Sequence, residues 1–181
     1  MNPTGNLLAS VDLSADLHTG RWSARGPEIE VGPDNWARLC LPWHPHSDEY
    51  DVTLDFTRRS GNQGFGLLLT GGGVQAKKFL FQLSAVDNQW VSLNRLVQEP
   101  HKLDIARPFG PNGVRHQLRL EITRSGIEAF LNETSVLRYA TGYRDIESRD
   151  WGFGTDCALG LISWYNVIEF HRLEATELAR R

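Results

Sequence analysis

The stretch Cys157–Glu174, CALGLISWYNVIEFHRLE, decides the fold. An apolar run, Ala158-Leu159-Gly160-Leu161-Ile162, leads through Ser163-Trp164-Tyr165-Asn166 into a second run, Val167-Ile168-Glu169-Phe170. Both runs suit strands, and little but a turn fits between them, so the reading is two paired strands. Parity breaks inside the second one. Ile168 and Phe170 point one way and Leu173 the other, which requires a β-bulge or a change of sheet at His171-Arg172. That break keeps Leu173 in the core and turns His171 and Arg172 outward together.

The same period of two extends upstream. Tyr50, Val52, Leu54 and Phe56 alternate with Asp51, Thr53 and Asp55, the pattern of a half-buried antiparallel strand. Phe65, Leu67 and Leu69 form the inward set of the next strand, and Gly71-Gly72-Gly73 makes a turn. Lys78–Ala85 buries Phe79, Phe81 and Leu83, and Trp90–Leu96 buries Val91 and Leu93 while Trp90, Ser92 and Asn94 face away. His116–Thr123 and Ile127–Leu131 bury Leu118, Leu120, Ile122, Ile127, Ala129 and Leu131 around the Arg124-Ser125-Gly126 turn. Residues 7–13 and 20–31 supply short strand-like pieces broken by Gly and Pro, and Ala37–Leu41 another apolar stretch. Residues 97–113 and 141–155 are the long irregular connections, the kind that carry binding rims. No segment of useful length has a helical period, so helix should be minor. These strands predict an all-β fold, a two-sheet antiparallel β-sandwich.

Bulk properties agree. A chain of 181 residues fits one domain, 1–181, with flexible ends of about six residues at the start and five at the finish. With 19 basic and 22 acidic residues scattered along the chain, the net charge is −3 and no basic cluster marks a nucleic-acid surface. No window approaches the roughly 20 apolar residues of a membrane helix. The first twenty residues lack the basic start and apolar core of a secretory signal, which predicts a cytoplasmic protein as written, or a secreted one if a leader has been removed. Cys40 and Cys157 lie in apolar contexts near opposite ends of the chain, and two free core thiols are the leading reading, with a disulfide as the alternative.

Several segments carry a family pattern. Gly20-Arg21-Trp22-Ser23, the hairpin IEAFLNETSVLRY and the closing stretch LGLISWYNVIEFHRL at Leu159–Leu173 together resemble the concanavalin A-like lectin/glucanase jelly roll, the laminin G-like and 3-keto-disaccharide hydrolase-like domains included. The resemblance spans Gly20 to Glu174, and it implies that Trp22 belongs to the core. Glu133 stands where the hairpin pattern has glycine, a departure from the tight two-residue turn.

The resemblance raises glycoside hydrolysis, which needs two carboxyls about 5–9.5 Å apart. Glu49, Asp51 and Asp55 share one strand face, but Thr53 interrupts the row and no glutamate follows, so a solvated outer face is the preferred reading. His44-Pro45-His46-Ser47-Asp48-Glu49 holds metal-ligating side chains without a third histidine nearby and is read as a polar loop. Asn132-Glu133-Thr134 fits a glycosylation triplet and is taken as chance, and His171 as an inter-strand contact. Serine-nucleophile, phosphate-loop and dinucleotide motifs are missing.

Carbohydrate binding asks for less: aromatic planes for sugar faces and polar groups for hydroxyls. If the central strands form one meander, Gln82, Trp90, Asn94, Arg119 and Phe130 share its outward face, with Tyr143 and Trp151 closing over it from the late loop. The expectation is a non-catalytic lectin-like module for carbohydrate or another small ligand, requiring no cofactor, with Ca²⁺ allowed. A glycoside-processing enzyme and a structural or self-associating sandwich are the alternatives.

Overall fold

The structure, a computed structural model, describes residues 5–73, 76–84, 90–94, 101–104 and 111–178, with Ser84, Trp90, Asn94 and residues 101–104 described by their backbone. Among the described residues, fourteen strands form two seven-stranded antiparallel sheets. The first runs β1 (Leu17–Thr19), β4 (Asn35–Cys40), β13 (Gly160–Trp164), β6 (Phe65–Gly71), β7 (Lys77–Ser84), β8 (Trp90–Asn94), β9 (His101–Asp104). The second runs β12 (Thr134–Ala140), β11 (Gly126–Leu131), β10 (Arg115–Thr123), β5 (Tyr50–Ser60), β14 (Val167–Glu177), β3 (Glu28–Val31), β2 (Trp22–Arg25).

The inward set predicted by alternation fills the space between the sheets. Val52, Leu54 and Phe56 from β5 meet Phe65, Leu67 and Leu69 from β6, and all six are fully buried. Phe65 packs edge-on against Phe56 at 4.7 Å and against Phe170 at 5.6 Å, so the two sheets share one aromatic seam. Trp22 stacks on Phe170 at 6.2 Å and belongs to the core margin, as the resemblance implied. The Tyr50 hydroxyl crosses the sandwich to donate to the Thr70 carbonyl at 2.7 Å, and burial drives its pKa far above the ordinary phenol value.

The closing stretch corrects its own reading. β13 and β14 do not pair with each other: β13 lies between β4 and β6 in the first sheet, and β14 between β5 and β3 in the second. The turn between them is a crossing from one sheet to the other. Asn166 makes that crossing rigid, because its buried side chain accepts from Gln63 N at 3.1 Å and donates to Gly64 O and Trp164 O, both at 2.8 Å. The bulge is where parity placed it: Phe170 pairs with Phe56 and Arg172 with Asp55, leaving His171 as the extra residue and Leu173 fully buried opposite Leu54.

Other expectations are also revised. Leu7–Ser10 is a short 3-10 helix rather than a strand, capped by the Asn6 side chain. Asn6 accepts from Leu173 N at 3.0 Å and donates to Pro27 O at 3.3 Å, while Glu177 pairs with Tyr50 in β14. His101–Asp104, inside a stretch read as irregular, forms the edge strand β9. The β11–β12 turn is the tight two-residue kind despite Glu133, with Asn132 and Glu133 at φ 47° and 66°. Asn132 holds it by accepting from Gln117 N at 2.9 Å and donating through its own N–H to Gln117 O at 2.8 Å.

The two cysteines are not free thiols. Cys40 and Cys157 form a disulfide, with Cα atoms 5.7 Å apart across a separation of 117 residues. Cys40 points away from the sandwich core on β4, opposite Gly160, and Cys157 arrives there from the segment that folds back over this sheet.

Candidate functional site

The outer face of the first sheet is built in two halves. On β13, β6 and β7 the outward positions Ile162, Leu68 and Leu80 are apolar and fully buried. Phe153 and Cys157 cover them from the late loop, with Trp151, Trp164 and Cys40 at the margin of the same cluster. Gly160 makes room for the cover, since a Cβ there would lie 2.6 Å from the Phe153 ring. Polar ties fasten the rest. The Arg38 guanidinium donates to Trp151 O at 3.0 Å, and Lys78 Nζ to Gly154 O at 3.2 Å and to Thr155 O. Ser148 Oγ accepts from Lys78 N at 3.0 Å, and Arg149 lies 5.2 Å over the Trp151 ring. Burial lowers the Lys78 pKa, and Asp150 and Asp156 act in the opposite direction.

Along β7 and β8 the face turns polar, with Gln82 half-buried and Ser92 buried. Gln82 on β7 stands opposite Ser92 on β8, and Ser92 Oγ donates to Gln82 Oε1 at 3.0 Å. The backbones of Trp90 and Asn94 flank Ser92 along β8, with Trp90 opposite Asp104 and Asn94 opposite Leu80. Their side chains lie outside the described residues. Trp151 is at the rim of the cover, and its indole Nε1 is buried with no hydrogen-bond partner among the described residues.

The structure therefore divides the residues grouped by sequence. Gln82, Trp90, Asn94 and Trp151 belong to the first sheet and its cover. Arg119 and Phe130 do not join them, because β10 and β11 are in the second sheet. There Arg119 stacks over Phe130 at 4.2 Å while pairing with Glu121 and with Asp51 at 3.8 Å. Tyr143 is also elsewhere: 2% exposed, it is a core residue whose hydroxyl donates to Thr123 O at 2.7 Å, with its ring packed over Gly71 and Gly72. The assumption of one meander failed at the connection from β9 to β10, where the chain changes sheet.

Sequence reasoning missed Arg38, Lys78 and the disulfide as the supports of the cover. A signal was present. Leu67-Leu68-Leu69, Phe79-Leu80-Phe81 and Leu161-Ile162 are apolar on both parities, as strands buried on both faces are.

The outer face of the second sheet is a ladder of ion pairs. Arg115–Asp55 at 2.9 Å, Arg138–Glu128 at 2.8 Å, Arg59–Glu169 at 2.5 Å and Arg172–Glu174 at 2.7 Å cross or run along it. Of the Glu49, Asp51 and Asp55 row, read from sequence as a solvated face, Asp51 and Asp55 are half-buried and pair with Arg119 and Arg115. Asp51 is displaced upward in pKa, by burial first and then by Glu121, with Arg119 opposing. An open recess of about 210 Å³ beside it is lined by Glu121, Glu128, Arg138 and Tyr139. The bulge residue His171 contacts Thr57 Oγ1 through Nε2 at 2.8 Å and Glu28 Oε1 through Nδ1 at 2.9 Å. The connectivity copies a nucleophile–base–carboxylate relay. Thr57 is only 3% exposed, however, so a substrate carbonyl has no approach and the trio is an inter-strand contact.

At the end of the sandwich, His44, His46 and Asp48 line a recess of about 400 Å³ with Thr70 and Gly73. His46 is tied to Glu177 at 3.2 Å and Asp48 to Arg124 at 3.4 Å. Among the described residues no three His, Cys, Asp or Glu side chains converge to hold a metal ion. No helix among them is long and apolar enough to cross a membrane.

No family model and no curated protein matches the chain. Solved structures do match over nearly its whole length. The carbohydrate-binding module CBM66 from Bacillus subtilis aligns with TM-score 0.60 at 12% identity, over 89% of this chain and 94% of its own. A candidate glycosyl hydrolase from Parabacteroides distasonis aligns with TM-score 0.61 at 12% identity, over 97% and 95%. The exoplasmic/lumenal domain of VIP36 in its Ca²⁺/Man2-bound form aligns with TM-score 0.66 at 7% identity, over 98% and 88%. At such identities the likeness is one of fold: this chain is a two-sheet antiparallel jelly-roll sandwich of the kind found in carbohydrate-binding modules and lectins.

Proposed function

We propose that the chain is a single-domain, non-catalytic carbohydrate-binding module. Its ligand lies on the outer face of the first sheet, across β7 and β8, against the rim of the disulfide-fastened cover. The carrying observation is the change of chemistry across that face. Apolar Ile162, Leu68 and Leu80 are fully buried on one half, and the Gln82–Ser92 amide–hydroxyl pair adjoins them on β7 and β8, with Ser92 buried and Gln82 half-buried. Gln82 and Asn94 supply hydroxyl-reading amides in this reading, and Trp90 and Trp151 supply aromatic planes, the two kinds of group a sugar requires. CBM66 and the Ca²⁺/Man2-bound VIP36 domain support the ligand class through the shared fold. The Cys40–Cys157 bond favours an oxidising compartment, the secreted arm of the sequence expectation.

Glycan-array binding tests the proposal, with Trp90→Ala and Gln82→Ala as variants and Arg119→Ala as the control on the opposite sheet. The expected outcome is retention of a glycan class by the parent and by Arg119→Ala, lost in the other two. No retained glycan, together with a Trp90→Ala variant that instead loses self-association, sinks the lectin reading in favour of an interaction domain. Repeating the titration in calcium and in chelator reads out a requirement for the ion, whose loop oxygens need no fixed spacing.

A second reading has one observation in its favour. Glu121 stands between Asp51 on β5 and Glu128 on β11 in register, and the Asp51 carboxyl is raised by its burial and by Glu121. A carboxyl raised by burial beside further acids suits glycoside hydrolysis. Equal release of nitrophenol from aryl glycosides by the parent and an Asp51→Asn/Glu128→Gln variant disposes of it.

A further inference from the structure

Trp36 and Tyr165 are the two most exposed aromatic side chains among the described residues, at 41% and 57%, and both have left-handed backbone, with φ 58° and 55°. They sit in one corner, where β4 begins and β13 ends. Ser163 pairs with Ala37 and Trp164 with Asn35, so Trp36 is the extra residue of a β-bulge. A left-handed bulge position is the natural place of glycine, because a Cβ there crowds the following carbonyl. Tryptophan and tyrosine are both poor choices for this backbone.

The corner is nonetheless held firmly. Thr19 Oγ1 donates to Trp36 O at 2.6 Å, and Tyr165 N donates to Asp34 O at 3.0 Å. The Asp34 carboxylate is gripped by Arg21, with Nη2–Oδ1 at 3.0 Å, Nε–Oδ2 at 3.1 Å and the Arg21 backbone N at 2.7 Å, and this holds Asp34 below the ordinary carboxylate range. Trp164 stands edge-on to Trp36, 5.6 Å away at 81°, and its other side joins the apolar cluster under the cover. Neither exposed ring fills the core, so packing does not explain the strain. Strained backbone that the surroundings over-determine is characteristic of sites that present a side chain to a ligand.

We infer that Trp36, backed by Trp164 and accompanied by Tyr165, is a stacking platform for a neutral hexopyranose chain. It rests on the carbohydrate reading above and extends it to a second contact. The rings offer apolar planes to the C–H faces of a pyranose, and the Arg21–Asp34 pair beside them offers donors and acceptors to hydroxyls. The ligand is neutral because the Arg21 and Asp34 charges already match each other.

The test uses the full chain with cellohexaose and mannohexaose, titrated separately by calorimetry, with thermal unfolding and sedimentation on the same samples. Trp36→Gly is expected to bind about tenfold more weakly and to keep or raise the melting temperature, since glycine relieves the left-handed backbone. Bound oligosaccharide should also protect Trp36 from oxidation by N-bromosuccinimide. Unchanged affinity in Trp36→Gly beside a loss in Trp90→Ala overturns the platform and leaves the carbohydrate reading standing. A parent that binds neither oligosaccharide overturns the platform, and one that also retains no glycan on the array overturns the carbohydrate reading with it. A lowered melting temperature in Trp36→Gly makes Trp36 a packing residue, and a shift from dimer to monomer makes it a self-association contact; either result overturns the platform.

Discussion

The two outer faces of the sandwich are made by strands of the same kind and end up chemically opposite. On the first sheet, outward Leu68, Leu80 and Ile162 are sealed under Phe153 and a disulfide. On the second, exposed Arg115 and Arg138 pair with half-buried Asp55 and Glu128. The first face acts as a second, smaller core, and the second acts as a soluble boundary. Their difference teaches where stability resides: the covered face sets apolar residues beside polar ones, whereas the ion-paired face matches its charges with one another.

The largest way to break this contrast is to remove the bond that fastens the cover. Replacing Cys40 and Cys157 together by Ser should cost about 3–5 kcal/mol in urea unfolding, because the bond closes a long loop in the unfolded chain. Dye binding should rise at the same time as Leu68, Leu80 and Ile162 become exposed. A loss under about 1 kcal/mol would mean that the cover is held by its packing alone. Phe153→Ala probes that packing directly. With the disulfide intact, about 3 kcal/mol is expected, from the lost burial and the cavity left over Gly160. Comparable losses from outward residues of the second sheet would erase the distinction between the faces.

Much of the architecture was legible in the order of residues, because period two places Val52, Leu54, Phe65, Leu67, Leu118 and Leu120 on the inward side without reference to anything distant. The bulge at His171 was legible for the same reason, since Leu173 broke parity. Parity has no information about which sheet a strand joins. Hence β13 and β14 looked like a hairpin, and Arg119 and Phe130 were grouped with Gln82 across a change of sheet. Nor does it say what lies on top of an outward face, where the ties of the cover join residues 70 to 117 positions apart. Of the candidate site, the strand positions of Gln82, Trp90 and Asn94 were readable, and the supports around them were not. The strained corner at Trp36 and Tyr165 was hidden for a further reason: left-handed backbone at Trp or Tyr is imposed by the neighbouring strands against local preference.

A smaller effect, of opposite sign, sharpens the comparison on the side of the second sheet. Glu133 keeps φ 66° at the β11–β12 turn, where its side chain is exposed. Glycine tolerates that conformation, so Glu133→Gly should stabilise the fold by about 0.5–1 kcal/mol, read as a rise in the urea midpoint with unchanged slope. The Asn132 side chain, bonded to Gln117 N, keeps the turn in place in the variant.

The smallest effect is expected from the ion-pair ladder itself. Arg115 is 58% exposed and reaches Asp55, whose side chain is 15% exposed, at 2.9 Å. Asp55 also accepts from Gln117 Nε2 at 3.0 Å, so removing Arg115 leaves the carboxylate with a donor and with water. Side-chain ordering and salt screening offset most of the attraction in such a pair, and Arg115→Ala should change stability by no more than about 0.5 kcal/mol. Raising the salt concentration should shrink even that difference. A loss above about 2 kcal/mol, insensitive to salt, would indicate a buried, cooperative network, and the second face would then have to be counted with the first as part of what holds the sandwich together.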